Sequence, residues 1–136
     1  MSITRRKSRE LALQILYHVD FIKQSIKDAL PFFIAHFNFN RDLDEFTSFI
    51  VRGVDEYRLE IDSYISDCSE HWTLTRMSPV DRNIIRIAVF EILRCEDIPP
   101  KVSINEAIEL GKKFGTEKSA VFINGILDKI SHSQRK

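Results

Sequence analysis

The stretch that decides the fold is SPVDRNIIRIAVFEI, residues 78–92. The hydroxyl of Ser78 can accept a hydrogen bond from the free N–H three residues on, and Asp81 at that position can reach back to the N–H of the serine. Pro79 then takes the first helical position, where a missing N–H costs nothing. The apolar residues that follow repeat at helical spacing: Ile84, Ile85, Ala88, Val89 and Ile92. The pattern predicts a capped helix that ends before the next prolines.

A second helix start follows the same pattern further along the chain. Ser103 and Glu106 have the spacing of a reciprocal cap and predict a helix over residues 103–114. Two lysines fall in its last turn, where cations suit the helix dipole, and Gly115 stands just beyond as a stop. A last helix is expected over residues 119–130.

The first half of the chain also shows helical spacing. One helix is predicted over residues 4–20, capped by its first threonine. A second is predicted over residues 25–38, where Pro31 should kink or restart it. A long third helix is predicted over residues 42–68, with Gly53 as its weakest point.

The composition is typical of one packed helical domain. The 136 residues are 43% hydrophobic and include only four glycines and four prolines, a balance that favours a folded chain over a disordered one. No stretch alternates between apolar and polar residues for long enough to require a strand. We therefore expect an all-α fold, a single-domain helical bundle of about six to seven helices over residues 1–136.

The sequence lacks the motifs of catalysis, metal binding and membrane insertion. Cys68 and Cys95 have no CxxC spacing, so we expect two reduced thiols, and the four histidines are widely separated. Glycine-rich phosphate loops and serine-nucleophile motifs are absent. The N-terminal segment is polar, and no apolar run is long enough to span a bilayer. These observations predict a cytoplasmic protein with no cofactor, no metal site and no enzymatic activity.

Charge is distributed unevenly, although the formal net charge is zero. Residues 1–27 contain six basic and two acidic side chains, residues 41–70 contain three and nine, and residues 99–136 contain seven and four. Such a chain can present a basic face to a polyanion and an acidic face to a basic partner. The same counts also fit solvated helix surfaces, so charge alone leaves both interpretations open.

The basic cluster at the start of the first helix is the clearest candidate for a binding site. Arg5, Arg6, Lys7 and Arg9 fall within five positions, so they fan around the helix end instead of forming one stripe. A fan of this kind suits a bent or single-stranded nucleic-acid backbone. The alternative is a solvated helix end, but positive charge at a helix N-terminus opposes the dipole, so local helix stability does not explain the cluster.

Beyond these local features, a larger pattern of residues extends over essentially the whole chain. Its residues are Arg5-Arg6-Lys7-Ser8-Arg9-Glu10, Ala12, Gln14, Leu16, Tyr17, Trp72, Arg76, Asp81-Arg82, Ile85-Arg86, Glu91, Pro99, Val102, Ile104-Asn105-Glu106-Ala107, Glu109-Leu110 and Phe122-Ile123-Asn124-Gly125-Ile126-Leu127-Asp128. In these residues the chain resembles the NusB family of bacterial transcription antitermination factors. Gly111 departs from the resemblance, because the family usually has alanine there.

The resemblance implies a fold of two packed helical halves and a non-enzymatic function. Members of the family pair with the ribosomal protein that doubles as NusE, and the heterodimer binds the single-stranded boxA element of nascent ribosomal RNA. The assembly helps the RNA polymerase complex resist termination. A basic end for RNA and an acidic region for a basic ribosomal protein agree with this.

The resemblance also implies roles for individual residues. The implied RNA contacts are Arg5, Arg6, Lys7, Arg9, Gln14 and Phe122, and Lys118 is added as a further RNA contact because it places a positive charge near Phe122. The implied contacts with the NusE partner are Tyr17 and Asp81. For three of these residues an alternative stays open: Phe122 as core, Gln14 as a merely solvated polar side chain, and Asp81 as a helix cap. Asn105 and Asn124 are expected to be buried at helix junctions, and Trp72 is assigned to packing.

A second class of function also fits the sequence. The chain could be a helical protein-interaction module, or a homodimer in which the RNA face is masked. The sequence does not choose between a monomer and a homodimer.

Overall fold

Seven α-helices make up most of the described chain. The computed structural model describes residues 5–23, 25–36, 41–69 and 73–134. The helices are α1 (Arg5–Ile22), α2 (Ile26–His36), α3 (Arg41–Glu56), α4 (Arg58–Cys68), α5 (Pro79–Arg94), α6 (Pro100–Phe114) and α7 (Ser119–Gln134), with a short 3₁₀ turn at Leu74–Arg76. No strand occurs in these residues. The all-α prediction is confirmed.

One of the two predicted helix starts is confirmed and the other is wrong. Ser78 caps α5, and its hydroxyl accepts a hydrogen bond from the Asp81 N–H at 3.1 Å. Ser103, in contrast, lies inside α6, which already begins at Pro100. Its buried hydroxyl donates to the carboxylate of Glu91 on α5 at 2.8 Å, so a tertiary contact uses the group that the local pattern assigned to a cap. Thr4, the predicted cap of α1, lies outside the described residues.

The long third helix predicted over residues 42–68 is two helices. The break falls at Tyr57, not at Gly53. Gly53 stays helical because the ring of Phe90 packs directly against it, and a Cβ there would collide with that ring. The Tyr57 ring stacks on the other side of Phe90, with centroids 6.4 Å apart. The predicted restart of α2 at Pro31 is also wrong, because the helix continues through it.

The central element is α5, which packs against α1, α3, α4, α6 and α7. Residues 83–91 are buried without interruption, as expected for a helix that is apolar on most of its circumference. Around it, α1 packs with α2 and α3 on one side, while α6 and α7 pack with each other and α7 packs with α4 on the other. This is the arrangement of two packed halves that the resemblance implies.

Gly111, which stands where the family usually has alanine, is buried where α6 meets α7. A Cβ at this position would lie 2.8 Å from the Cδ1 atom of Ile123, the end of a flexible side chain, and in ordinary contact with the Ala120 backbone at 3.6 Å. Alanine would therefore require only the Ile123 side chain to shift, and glycine costs about 1 kcal/mol in helix propensity.

Polar contacts tie the first half to α5. The Oδ2 atom of Asp20 on α1 accepts hydrogen bonds from Arg82 Nε at 2.9 Å, from Arg82 Nη2 at 2.7 Å and from Asn83 Nδ2 at 3.1 Å. The guanidinium of Arg86 lies 3.5 Å from the same oxygen. Burial alone raises the pKa of Asp20, but these hydrogen bonds and charges outweigh it and lower the pKa below its usual range.

We expect this carboxylate to make stability depend on acid. Because the pKa of Asp20 is lower in the folded state, its contribution is complete above the pKa of the unfolded chain, about 3.9, and is lost as pH falls through the folded value. Asp20→Asn should therefore be less stable at pH 7 and should lose less stability than the wild type between pH 4.5 and pH 3. Urea midpoints across that range check this, with Asp55→Asn, an exposed acid on α3, as the control. Parallel curves for the wild type and Asp20→Asn would contradict it.

Neither cysteine is cross-linked, and none of the described helices is both long and apolar enough to cross a membrane. Cys95 is buried, and this burial raises the pKa of its thiol to about 11. Cys68 is partly buried. The expectation of two reduced thiols agrees with this.

Candidate nucleic-acid and partner interface

The four basic residues at the start of α1 differ in their exposure to solvent. Arg5, Arg6 and Lys7 are exposed, whereas Arg9 is only 4% exposed. The guanidinium of Arg5 lies 4.5 Å from the centroid of the Phe46 ring on α3. This geometry allows a cation–π contact that leaves the side chain at the surface.

Arg9 belongs to a buried network. Its Nε and Nη2 atoms each donate to a carboxylate oxygen of Glu91 at 2.8 Å. The Ser103 hydroxyl donates to the same carboxylate, so the network joins α1, α5 and α6. Because the guanidinium is enclosed and both of its donating edges are occupied, we remove Arg9 from the predicted direct RNA contacts and assign it to positioning α1.

The exposed cations are paired with acidic side chains of the same molecule. Arg6 donates from Nε and Nη2 to the two oxygens of Glu106 at 3.0 and 2.7 Å. Lys7 Nζ lies 3.8 Å from Glu10, and Lys113 Nζ on α6 lies 3.0 Å from the same carboxylate. The basic surface therefore extends from Lys7 on α1 to Lys113 on α6, because both lysines lie beside the Glu10 carboxylate.

Arg6 and Glu106 form one wall of an open cleft of about 500 Å³. The hydrogen bond and charge of Arg6 hold the pKa of Glu106 below its usual range, although burial opposes this, and the same contact raises the pKa of Arg6. Both groups are therefore ionised at neutral pH. The remaining lining residues are Arg5, Arg9, Asp97, Ile98, Pro99 and Val102.

A second cleft, of about 640 Å³, lies between the starts of α5 and α7, and we call it the α5–α7 groove. It brings Asp81 to Lys118 and Phe122, which follow it in the chain by 37 and 41 residues. The other residues that line it are Arg76, Met77, Ser78, Glu117 and Val121. A cation, an aromatic ring and a carboxylate thus face one opening.

Phe122 and Asp81 line the α5–α7 groove, and each has structural features that fit both of the roles that the sequence left open. Phe122 is partly buried and packs against the core, yet its side chain also lines the groove. Asp81 lies in the first turn of α5, where its backbone N–H is bonded to the cap Ser78. Its Oδ1 atom is buried and has no hydrogen-bond partner among the described residues. A donor from a bound molecule would satisfy it.

The outer face of α1 links the basic end to an exposed aromatic pair. Lys7, Gln14, Tyr17 and Phe21 follow each other at helical spacing, and all four are exposed. The rings of Tyr17 and Phe21 stack with centroids 6.5 Å apart and planes 7° apart, and Phe21 is 73% exposed. Exposed aromatic surface of this kind is enriched at protein interfaces.

Sequence reasoning missed several features that the structure reveals. It assigns Lys113 only to the helix dipole and Glu106 only to a cap, because their partners lie about 100 residues away in the chain. The prediction that Asn105 and Asn124 are buried is wrong. Both are exposed and line a shallow groove between α6 and α7. Trp72 lies outside the described residues.

Two acids of the acidic stretch pair with arginines of α5. Glu60 binds Arg94 at 2.6 Å, and Asp62 binds Arg86 through both carboxylate oxygens at 2.9 and 3.1 Å. These acids therefore take part in packing α4 against α5. Within the described ranges, no group of three His, Cys, Asp or Glu side chains is placed to hold a metal ion.

Comparisons with known proteins agree with these features. The model of the NusB family matches residues 6–132. A transcription antitermination protein NusB from Syntrophus aciditrophicus is 48% identical over 124 residues, which cover 91% of this chain and 77% of that protein. Among solved structures, NusB from T. maritima is similar with a TM-score of 0.88 and 38% identity, over 97% of this chain and 93% of that one. A structure of the antitermination factors NusB and NusE in complex with dsRNA contains a chain with a TM-score of 0.85 and 27% identity, over 95% of this chain and 96% of that one.

Proposed function

The chain belongs to the NusB family, and on this premise we propose that it is a non-enzymatic transcription antitermination factor. It binds boxA-type single-stranded RNA in nascent ribosomal transcripts together with the ribosomal protein NusE. This assembly helps the RNA polymerase complex resist termination. The curated relatives carry the same function in their name, and a NusB of closely similar fold has been solved with NusE and dsRNA. We place the protein in the cytoplasm, where bacterial transcription occurs, and treat residues 1–136 as one functional domain.

The observation that supports this proposal most directly is the α5–α7 groove. It presents Lys118 beside the partly exposed ring of Phe122. A cation next to an aromatic face is the combination that binds a single-stranded nucleotide, because the base stacks on the ring while the charge attracts the backbone. We assign both residues to RNA.

The remaining RNA contacts lie on α1. Arg5, Arg6, Lys7 and Gln14 are exposed, and Lys113 extends the basic surface towards the turn that precedes Lys118. A strand that follows these cations would pass from the start of α1 to the α5–α7 groove.

We assign the NusE contacts to the exposed aromatic pair on α1 and to Asp81. Tyr17 lies one turn before Asp20, whose carboxylate binds Arg82, the neighbour of Asp81. Tyr17 and Asp81 thus lie on either side of the Asp20–Arg82 ion pair. The unpartnered Oδ1 of Asp81 is suited to a cationic side chain of a basic ribosomal protein.

A binding titration tests the function as a whole. A boxA-like single strand, a scrambled strand of equal length and a duplex of the boxA sequence are titrated with the protein, with and without NusE, at several salt concentrations. The proposal expects the boxA-like single strand to bind most tightly, and more tightly when NusE is present. Equal binding of all three RNAs would contradict it. Self-association that blocks RNA until NusE is added would favour the masked homodimer.

The exposed basic residues should determine the salt dependence of RNA binding. We expect Arg5→Ala with Lys7→Ala to weaken binding to every RNA and to flatten the log–log salt slope by about 1.4, since each phosphate of a single strand contributes about 0.7. The matched control is Lys23→Ala with Lys27→Ala, which removes the same charge just after the end of α1 and at the start of α2. A rise of 1.5 Å per residue places Lys23 about 27 Å from Arg5 along the axis of α1. If the two double variants have the same slope, the start of α1 does not contact phosphate.

A further inference from the structure

The guanidinium of Arg6 already binds an acidic side chain of the same molecule. The Nε and Nη2 atoms of its guanidinium bind the two oxygens of Glu106 in parallel, at 3.0 and 2.7 Å. This is the same edge-on, two-bond geometry in which arginine binds a phosphate group. A phosphate that approaches this edge of Arg6 therefore meets a carboxylate in its place.

Glu106 is held where it is, whereas Arg6 is not. The Glu106 side chain is 16% exposed and lies 3.6 Å from Arg9, which is itself locked to Glu91 inside the protein. The Arg6 side chain is 55% exposed. Of the two partners, it is the arginine that can turn away from the pair towards a ligand.

The neighbouring acid shows why the position of Glu106 matters. Glu109 lies one turn further along α6, is 45% exposed, and pairs with Lys112 on its own helix at 3.3 Å. It adds negative charge near Arg6 but makes no hydrogen bond to it within the described chain. Glu106 alone occupies the guanidinium.

On the basis of the function proposed above, we propose that Glu106 competes with RNA phosphate for the guanidinium of Arg6 and so limits the affinity of any RNA that uses this arginine. A strand held only by general charge attraction does not displace the carboxylate and loses no affinity to it. A strand that is also held at the α5–α7 groove places a phosphate beside Arg6 and displaces the carboxylate, at the cost of breaking the ion pair. The carboxylate therefore lowers the affinity for the proper RNA more than the affinity for unrelated RNA.

Glu106→Gln tests this with little change in shape, and Glu109→Gln is the matched control for loss of one negative charge. We expect Glu106→Gln to bind a boxA-like single strand about three- to fivefold more tightly, the effect of releasing a partly exposed ion pair. The gain for a scrambled strand should be smaller, because that strand does not break the pair in the wild type, so the ratio of the two affinities rises. Glu109→Gln should leave this ratio unchanged.

The same substitution in an Arg6→Ala background completes the experiment. If Glu106 acts through Arg6, the gain disappears in that background, and a gain that persists overturns the proposal. Glu106→Gln that binds the boxA-like strand no more tightly than Glu109→Gln overturns it as well. If Glu106→Gln does not fold, Glu106→Asp replaces it, because its shorter side chain keeps the charge but releases the paired hydrogen bonds and should show part of the gain. Failure of the wild type to bind any RNA, with or without NusE, overturns the proposed function itself.

Discussion

Glu91→Ala will lower the free energy of unfolding by about 3–5 kcal/mol, because it leaves the buried guanidinium of Arg9 without its counter-ion. In the native protein both oxygens of Glu91 accept from Arg9, and the Ser103 hydroxyl donates to the same group. Glu91 itself is 1% exposed, so water cannot replace the lost carboxylate without opening the interface between α1 and α5. Urea denaturation followed by circular dichroism measures the loss.

The double variant Arg9→Met with Glu91→Leu is the control for this prediction. Removing both charges leaves no unpaired charge inside the protein. The double variant should therefore lose less free energy of unfolding than the sum of the losses in the two single variants. Additive losses would show that Arg9 and Glu91 contribute separately and that the pair is not what holds α1 against α5.

Phe90→Ala will lower the free energy of unfolding by about 3–5 kcal/mol, and Gly53→Ala will lower it by about 1–3 kcal/mol, although alanine favours a helix. The two effects share one cause. Phe90 is 2% exposed, and its ring occupies the space that a side chain on residue 53 would need. In the Phe90→Ala background that space is empty, so Gly53→Ala should become neutral or stabilising. Thermal and urea unfolding of the four proteins complete the cycle.

Gly125→Ala is the matched control for this cycle. Gly125 also lies within a helix, but apart from the backbone of that helix and the two adjacent residues, no atom of the described chain lies within 4 Å of the position its Cβ would take. There the same substitution should stabilise the protein by up to about 1 kcal/mol. A Gly53→Ala protein that is stabilised to the same extent as Gly125→Ala would show that the Phe90 ring moves aside at no cost.

The sequence predicts those parts of the fold that depend on neighbouring residues. The start of α5 at Ser78 is such a case, since cap, proline and acid lie within four positions. Ser103 has the same local pattern, but its hydroxyl binds Glu91 on another helix, and no local rule contains that contact. The break at Tyr57 is equally non-local, because it depends on how residues of α3 and α4 pack around Phe90.

In the candidate site, too, local sequence predicts some features, whereas others depend on contacts between distant residues. The exposure of Arg6 and Lys7 agrees with their place at a helix end, whereas the burial of Arg9 depends on a glutamate 82 residues later. The meeting of Asp81 with Lys118 and Phe122 in one groove likewise requires α5 and α7 to be packed. Resemblance to the family identifies Asp81 and Phe122, and Lys118 is added for its charge near Phe122. Only the tertiary structure shows that Asp81 lies with the other two.

The enclosed position of α5 determines how the molecule comes apart. Since α1, α3, α4, α6 and α7 all pack on this one helix, each half covers part of its apolar surface with α5. Partial opening of either half would expose α5, so the two halves are expected to unfold as one cooperative unit. The backbone amides of residues 83–91 should then exchange their hydrogens with solvent only through complete unfolding, and their exchange rates would report the total stability of the protein.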